Sequence, residues 1–294
     1  MREFKRIIVG YDSRASSEDA LQSALRLAQD TDAALKLVHV VESYPLYQRV
    51  TQPSLTLTAL EDRVEKAGHI LEARLRQPDV DALRAEYEIR TGKPFVELIL
   101  AERAWRADLL VVGGTAVGSE RLLGSTSVRL VRKAAAPVLV AKTPWTPTPK
   151  TFLVPTDFSD ASREAAEVAF LLARQCQGRL KFLHVVEIPQ MYAGEPLPLS
   201  PLSAYELESE WETFLASVPQ DDRVPTDFGT VAGRAATAIV QEAHDSQPDV
   251  IVMGTHGATR LAYMLIGSVA EEVVQYAPGS VLTVRPRAFQ PELL

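Results

Sequence analysis

Cysteine is almost missing: Cys176 is the only one in 294 residues. A single cysteine excludes an intramolecular disulfide and a thiolate metal cluster. It suits a reducing compartment, and a cytoplasmic location is expected. No uninterrupted apolar run reaches the roughly 20 residues of a membrane-spanning helix, so no membrane partner is expected. The opening Met1-Arg2-Glu3-Phe4-Lys5-Arg6 lacks the apolar core of a signal peptide and leads straight into Ile7-Ile8-Val9. Basic charge is also short: 31 Lys and Arg against 38 Asp and Glu give a net charge of −7, with no basic run. That balance argues against nucleic acid as a partner. Neither a G-x-x-x-x-G-K-[ST] phosphate loop nor a G-x-S-x-G nucleophile elbow occurs. The five histidines, at 39, 69, 184, 244 and 256, include no pair at metal-ligand spacing. No catalytic or metal-ligating residue is therefore assigned, and any hydrolysis would be slow and incidental.

What is present is ordinary globular composition, 46% hydrophobic and 23% charged, in a chain long enough for two domains. Its most informative stretch is Gly254-Thr255-His256-Gly257, then nine residues, then Gly267-Ser268. The apolar run Asp249-Val250-Ile251-Val252-Met253 precedes it, and Val269, Ala270, Val273, Val274 and Ala277 follow at helical spacing. A glycine-rich loop thus joins a buried strand to a helix N-terminus. Unpaired N–H groups and the positive end of the helix dipole make such a junction an anion site. Glycine lets the backbone approach a ligand closely and permits turns with φ > 0. Ser268 stands where its hydroxyl can reach a phosphate oxygen. His256 lies inside the same loop, within reach of phosphate; the other four histidines read as structural.

The chain is written twice. "LKLVHVVE" begins at Leu35 and "LKFLHVVE" at Leu180, so that His39 maps to His184 (184 − 39 = 145). Asp12 maps to Asp157 at the same offset (157 − 12 = 145). Later, Gly92 maps to Gly233 (233 − 92 = 141) and Asp108 to Asp249 (249 − 108 = 141). Such a period is a duplicated domain rather than a solenoid repeat. Between the copies runs Thr143-Pro144-Trp145-Thr146-Pro147-Thr148-Pro149, which neither a helix nor a central strand tolerates. The expected layout is a first domain over 1–143, a linker over 144–150 and a second domain over 151–294. Each copy reads as five strands alternating with helices. In the second, strands are expected near Phe152–Thr156, Leu180–Val186, Val224–Thr230, Val250–Met253 and Val281–Val284. Continuous apolar strands point to parallel sheets covered on both faces, hence two doubly wound α/β domains. If strands one and four are neighbours, Pro155-Thr156-Asp157 and Met253-Gly254 line one cleft at the switch point.

These segments together resemble the universal stress protein family. The resemblance covers nearly the whole chain, twice, as in a tandem member with five-stranded, Rossmann-like or flavodoxin-like domains. In the second half it rests on Val154-Pro155-Thr156-Asp157-Phe158-Ser159, on Leu183-His184-Val185-Val186, and on the loop from Met253 through Val269. That loop is similar to the motif of the ATP-binding branch. The resemblance implies that Pro155, Thr156, Asp157 and Val185 surround adenine and ribose, with the Asp157 carboxylate accepting from ribose hydroxyls. It implies that Met253 and Gly254 begin the phosphate loop. Gly257, Gly267, Ser268 and the Val269 backbone would hold the phosphates of ATP or a related adenine nucleotide, with Mg on those phosphates. Where the family often carries Arg or Lys, Ala258 stands here; Arg260, two positions on, reads as a solvated loop charge.

The first half departs from the motif. Gly113 to Gly124 spans 11 positions (124 − 113 = 11), against 13 from Gly254 to Gly267 (267 − 254 = 13). Ala116 falls where the second glycine belongs, Gly118 is out of register, and Glu120 puts negative charge into the loop. This half is expected to bind nucleotide weakly or not at all. Two Pro-, Ser- and Tyr-rich insertions, Ser43–Leu60 and Ile188–Tyr205, read as a lid or docking surface, or equally as a variable surface connection. The last strands, Pro137–Val140 and Ser280–Val284, would pair across the two halves, since single-domain relatives dimerise there; the chain would then be an intrachain pseudo-dimer, with a homodimer of chains also open. The expected function is an ATP-binding stress-response regulator that engages a regulatory protein partner, still unidentified. A non-binding scaffold and an adenylyl-transferring enzyme are the alternatives.

Overall fold

Alternating short apolar runs and helical repeats produce the α/β architecture that the sequence predicts. The computed structural model describes residues 4–43, 57–114, 125–143, 145, 151–187, 204–257 and 266–286. They group into two compact units. The first carries β1 (Arg6–Gly10), α1 (Ala15–Thr31), β2 (Ala34–Glu42), α2 (Leu57–Leu75), the short α3 (Pro78–Asp81) and β3 (Glu86–Gly92). It continues with α4 (Pro94–Trp105), β4 (Leu109–Gly113), α5 (Ser125–Lys133) and β5 (Val138–Ala141). The second carries β6 (Thr151–Thr156), α6 (Asp160–Cys176), β7 (Arg179–Val186), α7 (Ala204–Ala216) and β8 (Thr226–Ala232). Then come α8 (Ala235–Ser246), β9 (Val250–Gly254), α9 (Ser268–Tyr276) and β10 (Ser280–Val284). The linker apart from Trp145, most of both insertions and most of the first glycine loop lie outside the described residues.

Within the first unit the strands run β3-β2-β1-β4-β5, and within the second β8-β7-β6-β9-β10. Neighbours are parallel in both. Strands one and four of each copy are therefore adjacent, as the cleft hypothesis required. The central strands are apolar because both faces are covered: Ile7, Ile8 and Val9 in β1 and Phe152, Leu153 and Val154 in β6 are all 0% exposed. Each such side chain contributes roughly 1.5–3 kcal/mol by leaving water. The outer β8 is largely exposed and begins two residues later than the Val224 expected, since Pro225 supplies only its carbonyl, to Leu180 N–H at 2.9 Å.

Helix α6 shows why these segments are helical. Ser159 caps it by accepting from the Ser162 N–H, Asp160 sits in its first turn, and Ala165, Ala169 and Leu172 are buried along one face. It stops at Gln177, whose φ of 52° is left-handed.

The duplication recurs in the backbone itself. Unusual positive φ values occur in register: Ser13 and Phe158 both at 61°, Asp32 and Gln177 both at 52°, Gly92 at 154° and Gly233 at 153°. The repeated aspartates also share a task. Asp108 Oδ2 accepts from the Lys5 and Arg6 N–H groups, both at 2.9 Å, and Asp249 Oδ2 accepts from Thr151 N–H at 2.9 Å. Each staples the start of strand one to the start of strand four, so these carboxylates are structural.

Candidate functional site

At the C-terminal ends of β6 and β9 the sheet opens, and Pro155 marks the place. Proline has no N–H for a ladder. The β6–β9 register consists of Phe152↔Val250 and Leu153↔Ile251, whereas the equivalent β1–β4 register continues to Gly10↔Val112. On its other side β6 stays paired, Pro155 with Leu183 and Thr156 with His184. The opening leads into a cleft of about 510 Å³.

All ten residues singled out from the sequence border this cleft. Pro155, Thr156 and Asp157 come from the end of β6, and Val185 from β7. Met253, Gly254 and Gly257 come from the end of β9, and Gly267, Ser268 and Val269 from the start of α9. The structure adds lining residues that the motif did not indicate, chiefly Glu187, Ala235, Ile239 and Ser162. Ala235 and Ile239 could have been found from the apolar face of α8; Glu187 carries no sequence signal, since both copies read "HVVE".

The turn after β6 fixes the Asp157 carboxylate. Asp157 Oδ1 accepts from Ser159 N–H at 3.2 Å and from Ser159 Oγ–H at 2.6 Å. This Asx-type turn puts Phe158 in the left-handed region, where Thr156 Oγ1 accepts from its N–H at 3.1 Å. His184 supports the same turn. Its Nδ1 donates to Thr156 O at 2.9 Å, and its ring stacks on Phe158 with centroids 4.7 Å apart. His39 bonds Tyr11 O in the same way at 2.8 Å, so both repeated histidines are structural.

The glycines of the loop have separate reasons. A Cβ on Gly254 would stand 3.0 Å from the C, O and Cβ atoms of Ala161, so glycine here lets β9 pack on the first turn of α6. A Cβ on Gly257 would stand 2.7 Å from Asp157 Oδ2. The loop and the carboxylate are thus in direct apposition, which only glycine permits without moving Asp157. Gly267 is the N-cap of α9 with φ −71° and ψ 147°, and a Cβ there would lie 3.4 Å from Thr255 O, an ordinary contact. Neither Gly257 nor Gly267 has a positive φ, which corrects the expectation that this loop needs glycine for φ > 0 turns.

Thr255 clamps the two ends of the loop. Its N–H donates to Val284 O at 3.0 Å, its carbonyl accepts from Gly267 N–H at 2.7 Å, and its Oγ1 is hydrogen-bonded to His256 Nδ1 at 2.8 Å. The Gly267 N–H is therefore spent inside the protein. Ser268, Val269 and Ala270 are the first-turn residues of α9, and a glycine cap offers their N–H groups no side-chain acceptor. These donors find no acceptor among the described residues and border the cleft. An anion placed there would meet three donors and the positive end of a helix dipole. Ala258 and Arg260 lie outside the described residues.

The first unit keeps the turn after its first strand and the histidine that supports it, but differs at other places around them. Arg14 replaces Ser159 and takes both oxygens of Asp12: its N–H donates to Oδ1 at 3.1 Å and its guanidinium pairs with Oδ2 at 3.1 Å. Gly10 replaces Pro155, and a Cβ there would meet Val112 Cγ1 at 3.1 Å and Leu98 Cδ1 at 3.2 Å, so neighbouring side chains already cover the position. Tyr11 replaces Thr156 and turns its hydroxyl to Glu18 Oε2 at 3.0 Å. Burial, followed by the Glu18 charge, pushes the Tyr11 hydroxyl up to about 12. Glu18 in turn shares the buried Arg74 guanidinium with Asp79, at 2.7 and 2.8 Å. Ala116, Gly118, Glu120 and Gly124 lie outside the described residues.

Comparison with known proteins agrees with the duplication. The model of the universal stress protein family matches residues 3–142 and again 149–285. A universal stress protein of Mycolicibacterium smegmatis is 31% identical over 300 residues, covering 96% of this chain and 97% of that protein. A universal stress protein of Thermus aquaticus, 36% identical over 141 residues, covers 46% of this chain and 98% of itself, the length of one copy. Among solved structures, a universal stress protein from Archaeoglobus fulgidus superposes with a TM-score of 0.70 at 20% identity, covering 96% of this chain and 98% of that one; this shows the fold. Matched once by each of its halves, the chain belongs to the universal stress protein family as a tandem, two-domain member.

Proposed function

We propose that the second unit binds one adenine nucleotide, ATP with Mg on its phosphates, and that the protein acts in the stress response as a cytoplasmic regulator through binding rather than turnover. One observation carries the reading: a carboxylate, a glycine-capped helix start and an apolar wall converge on one cleft. Its volume of about 510 Å³ falls within the roughly 300–1,000 Å³ of small-molecule pockets. The phosphates would sit at Gly257 and the first turn of α9, where N–H donors and the helix dipole favour negative charge. The Asp157 carboxylate would accept from the ribose hydroxyls, with its orientation preset by Ser159. Adenine would lie against Pro155, Val185, Ile239 and Met253. No group of three or more metal-ligating side chains occurs among the described residues, so the cation would be carried by the phosphates and water.

The first unit is proposed not to bind nucleotide, because Arg14 already holds Asp12 and Leu98 and Val112 cover Gly10. Regulation then means that nucleotide favours one conformation over another and so changes which protein partner is engaged; this requires different affinities in the two states. Mass spectrometry of the small molecules released by heating the purified protein tests the binding. Adenine nucleotide at up to one equivalent per chain is expected. Absence of any nucleotide, together with an unshifted melting curve in millimolar Mg-ATP, would refute it. Limited proteolysis with and without Mg-ATP tests the coupling, and identical patterns would remove the regulatory part.

A further inference from the structure

Of the two acidic side chains that line the cleft, Asp157 and Glu187, the second has no part in the nucleotide contacts described so far. Glu187 lies two residues past Val185, so alternation along an extended chain puts the two on the same side. It lines the cleft, as do Ala235 and Ile239, and it is exposed. Its Oε1 accepts from the Ala235 N–H at 3.4 Å, at the start of α8. The neighbouring cation, Arg234, is committed elsewhere: it pairs with Glu272 through both guanidinium nitrogens, one of them at 2.7 Å. Glu187 is thus a carboxylate with one oxygen turned to the protein, standing at the edge of an apolar slot.

We infer that Glu187 reads the base, its Oε2 accepting one hydrogen bond from the exocyclic amino group of a 6-aminopurine. The inference rests on the nucleotide reading above. A carboxylate can only accept. Adenine presents an amino donor at position 6, whereas hypoxanthine and guanine present a carbonyl acceptor there, which a carboxylate repels. Guanine can satisfy a carboxylate by its other edge, but that recognition uses two parallel N–H donors on two oxygens. Here the Ala235 N–H already engages one oxygen, so a single donor fits better. The first unit has no equivalent device. Glu42 corresponds to Glu187 (187 − 42 = 145), but Pro94 corresponds to Ala235 (235 − 94 = 141) and has no N–H to orient it.

The test is calorimetric titration of the full chain with Mg-ATP, Mg-ITP and Mg-GTP, for the wild type, Glu187→Gln and Glu187→Ala. A hydrogen bond to a charged acceptor at an exposed site predicts that the wild type prefers ATP over ITP by about tenfold. Gln can donate as well as accept, so Glu187→Gln should bring ATP and ITP within about threefold of each other. Glu187→Ala should lower ATP affinity and raise ITP affinity until the two are about equal. Equal affinities in the wild type, a preference that survives Glu187→Ala, or tighter binding of GTP than of ATP would each overturn the assignment while leaving nucleotide binding intact. If none of the three binds, the assignment and the nucleotide reading fall together.

Discussion

Adding one methyl group at Gly257 should separate nucleotide binding from folding. In Gly257→Ala the new Cβ would lie 2.7 Å from Asp157 Oδ2, too close for either atom to stay. The backbone there belongs to the loop, while the carboxylate is the end of a short side chain, so Asp157 moves. In moving it gives up its bonds from the Ser159 N–H and hydroxyl, at 3.2 and 2.6 Å. Its preset acceptor geometry toward the ribose goes with them. A charge-assisted hydrogen bond contributes about 1.5–3 kcal/mol, which corresponds to a loss of roughly tenfold to a hundredfold in Kd for Mg-ATP. The fold should hardly register the change, since Gly→Ala at an unstrained φ removes unfolded-state entropy and stabilises by about 0.4–1 kcal/mol. Gly267→Ala is the internal control. Its φ is −71° and its Cβ would meet Thr255 O at 3.4 Å, so affinity should fall by less than about threefold, with a small loss from replacing a glycine N-cap. Calorimetry and thermal melting on the same preparations read both quantities. Unchanged affinity in Gly257→Ala, or equal damage from both substitutions, would refute the apposition of Asp157 and the loop as the basis of binding.

Three further outcomes follow from particular contacts. Asp157→Ala should weaken Mg-ATP more than the 2′-deoxy nucleotide, and equal losses in a titration would mean that the carboxylate does not face the ribose. Arg74→Met should cost about 2 kcal/mol in urea unfolding, because Glu18 and Asp79 would lose their shared cation inside a part-buried network; a change under about 0.5 kcal/mol would contradict this. Acid titration of the same pair offers a separate check. Hydrogen bonds from Arg74 pull the Asp79 carboxyl down to about 2. Its stabilisation is complete above the ordinary Asp value of about 3.9 and drains away as the pH falls toward 2. That acid-side loss should shrink in Arg74→Met, and an unaltered acid limb would exclude the pair as its source.

Much of this was legible in the residues because the duplication supplies its own control. Offsets of 145 and 141 between repeated residues anticipate the paired φ angles of Ser13 with Phe158 and of Gly92 with Gly233. Continuous apolar runs anticipate buried parallel strands, and the doubly wound reading anticipates that the ends of strands one and four line one cleft once the two are neighbours. What escaped the sequence depends on contacts between distant segments. Pro155 reads as a family residue; that the β6–β9 ladder ends at Leu153 is visible only once β9 lies beside it. That Arg14 engages both oxygens of Asp12 is visible only once the turn after β1 is formed. Gly267 reads as a conformational glycine, yet its backbone is one any residue adopts, and the close approach belongs to Gly257 and Gly254 instead. Glu187 and Glu42 are the same letter in the same motif, and only the change from Ala235 to Pro94 distinguishes their surroundings.

The central claim is an asymmetric pair of domains in which only the second holds nucleotide. Stoichiometry tests it most directly: titration of the nucleotide-free full chain with Mg-ATP, repeated with Gly257→Val. One site per chain that disappears in the variant is the predicted result. Two equivalent sites, one site that survives Gly257→Val, or no binding at all would contradict the claim.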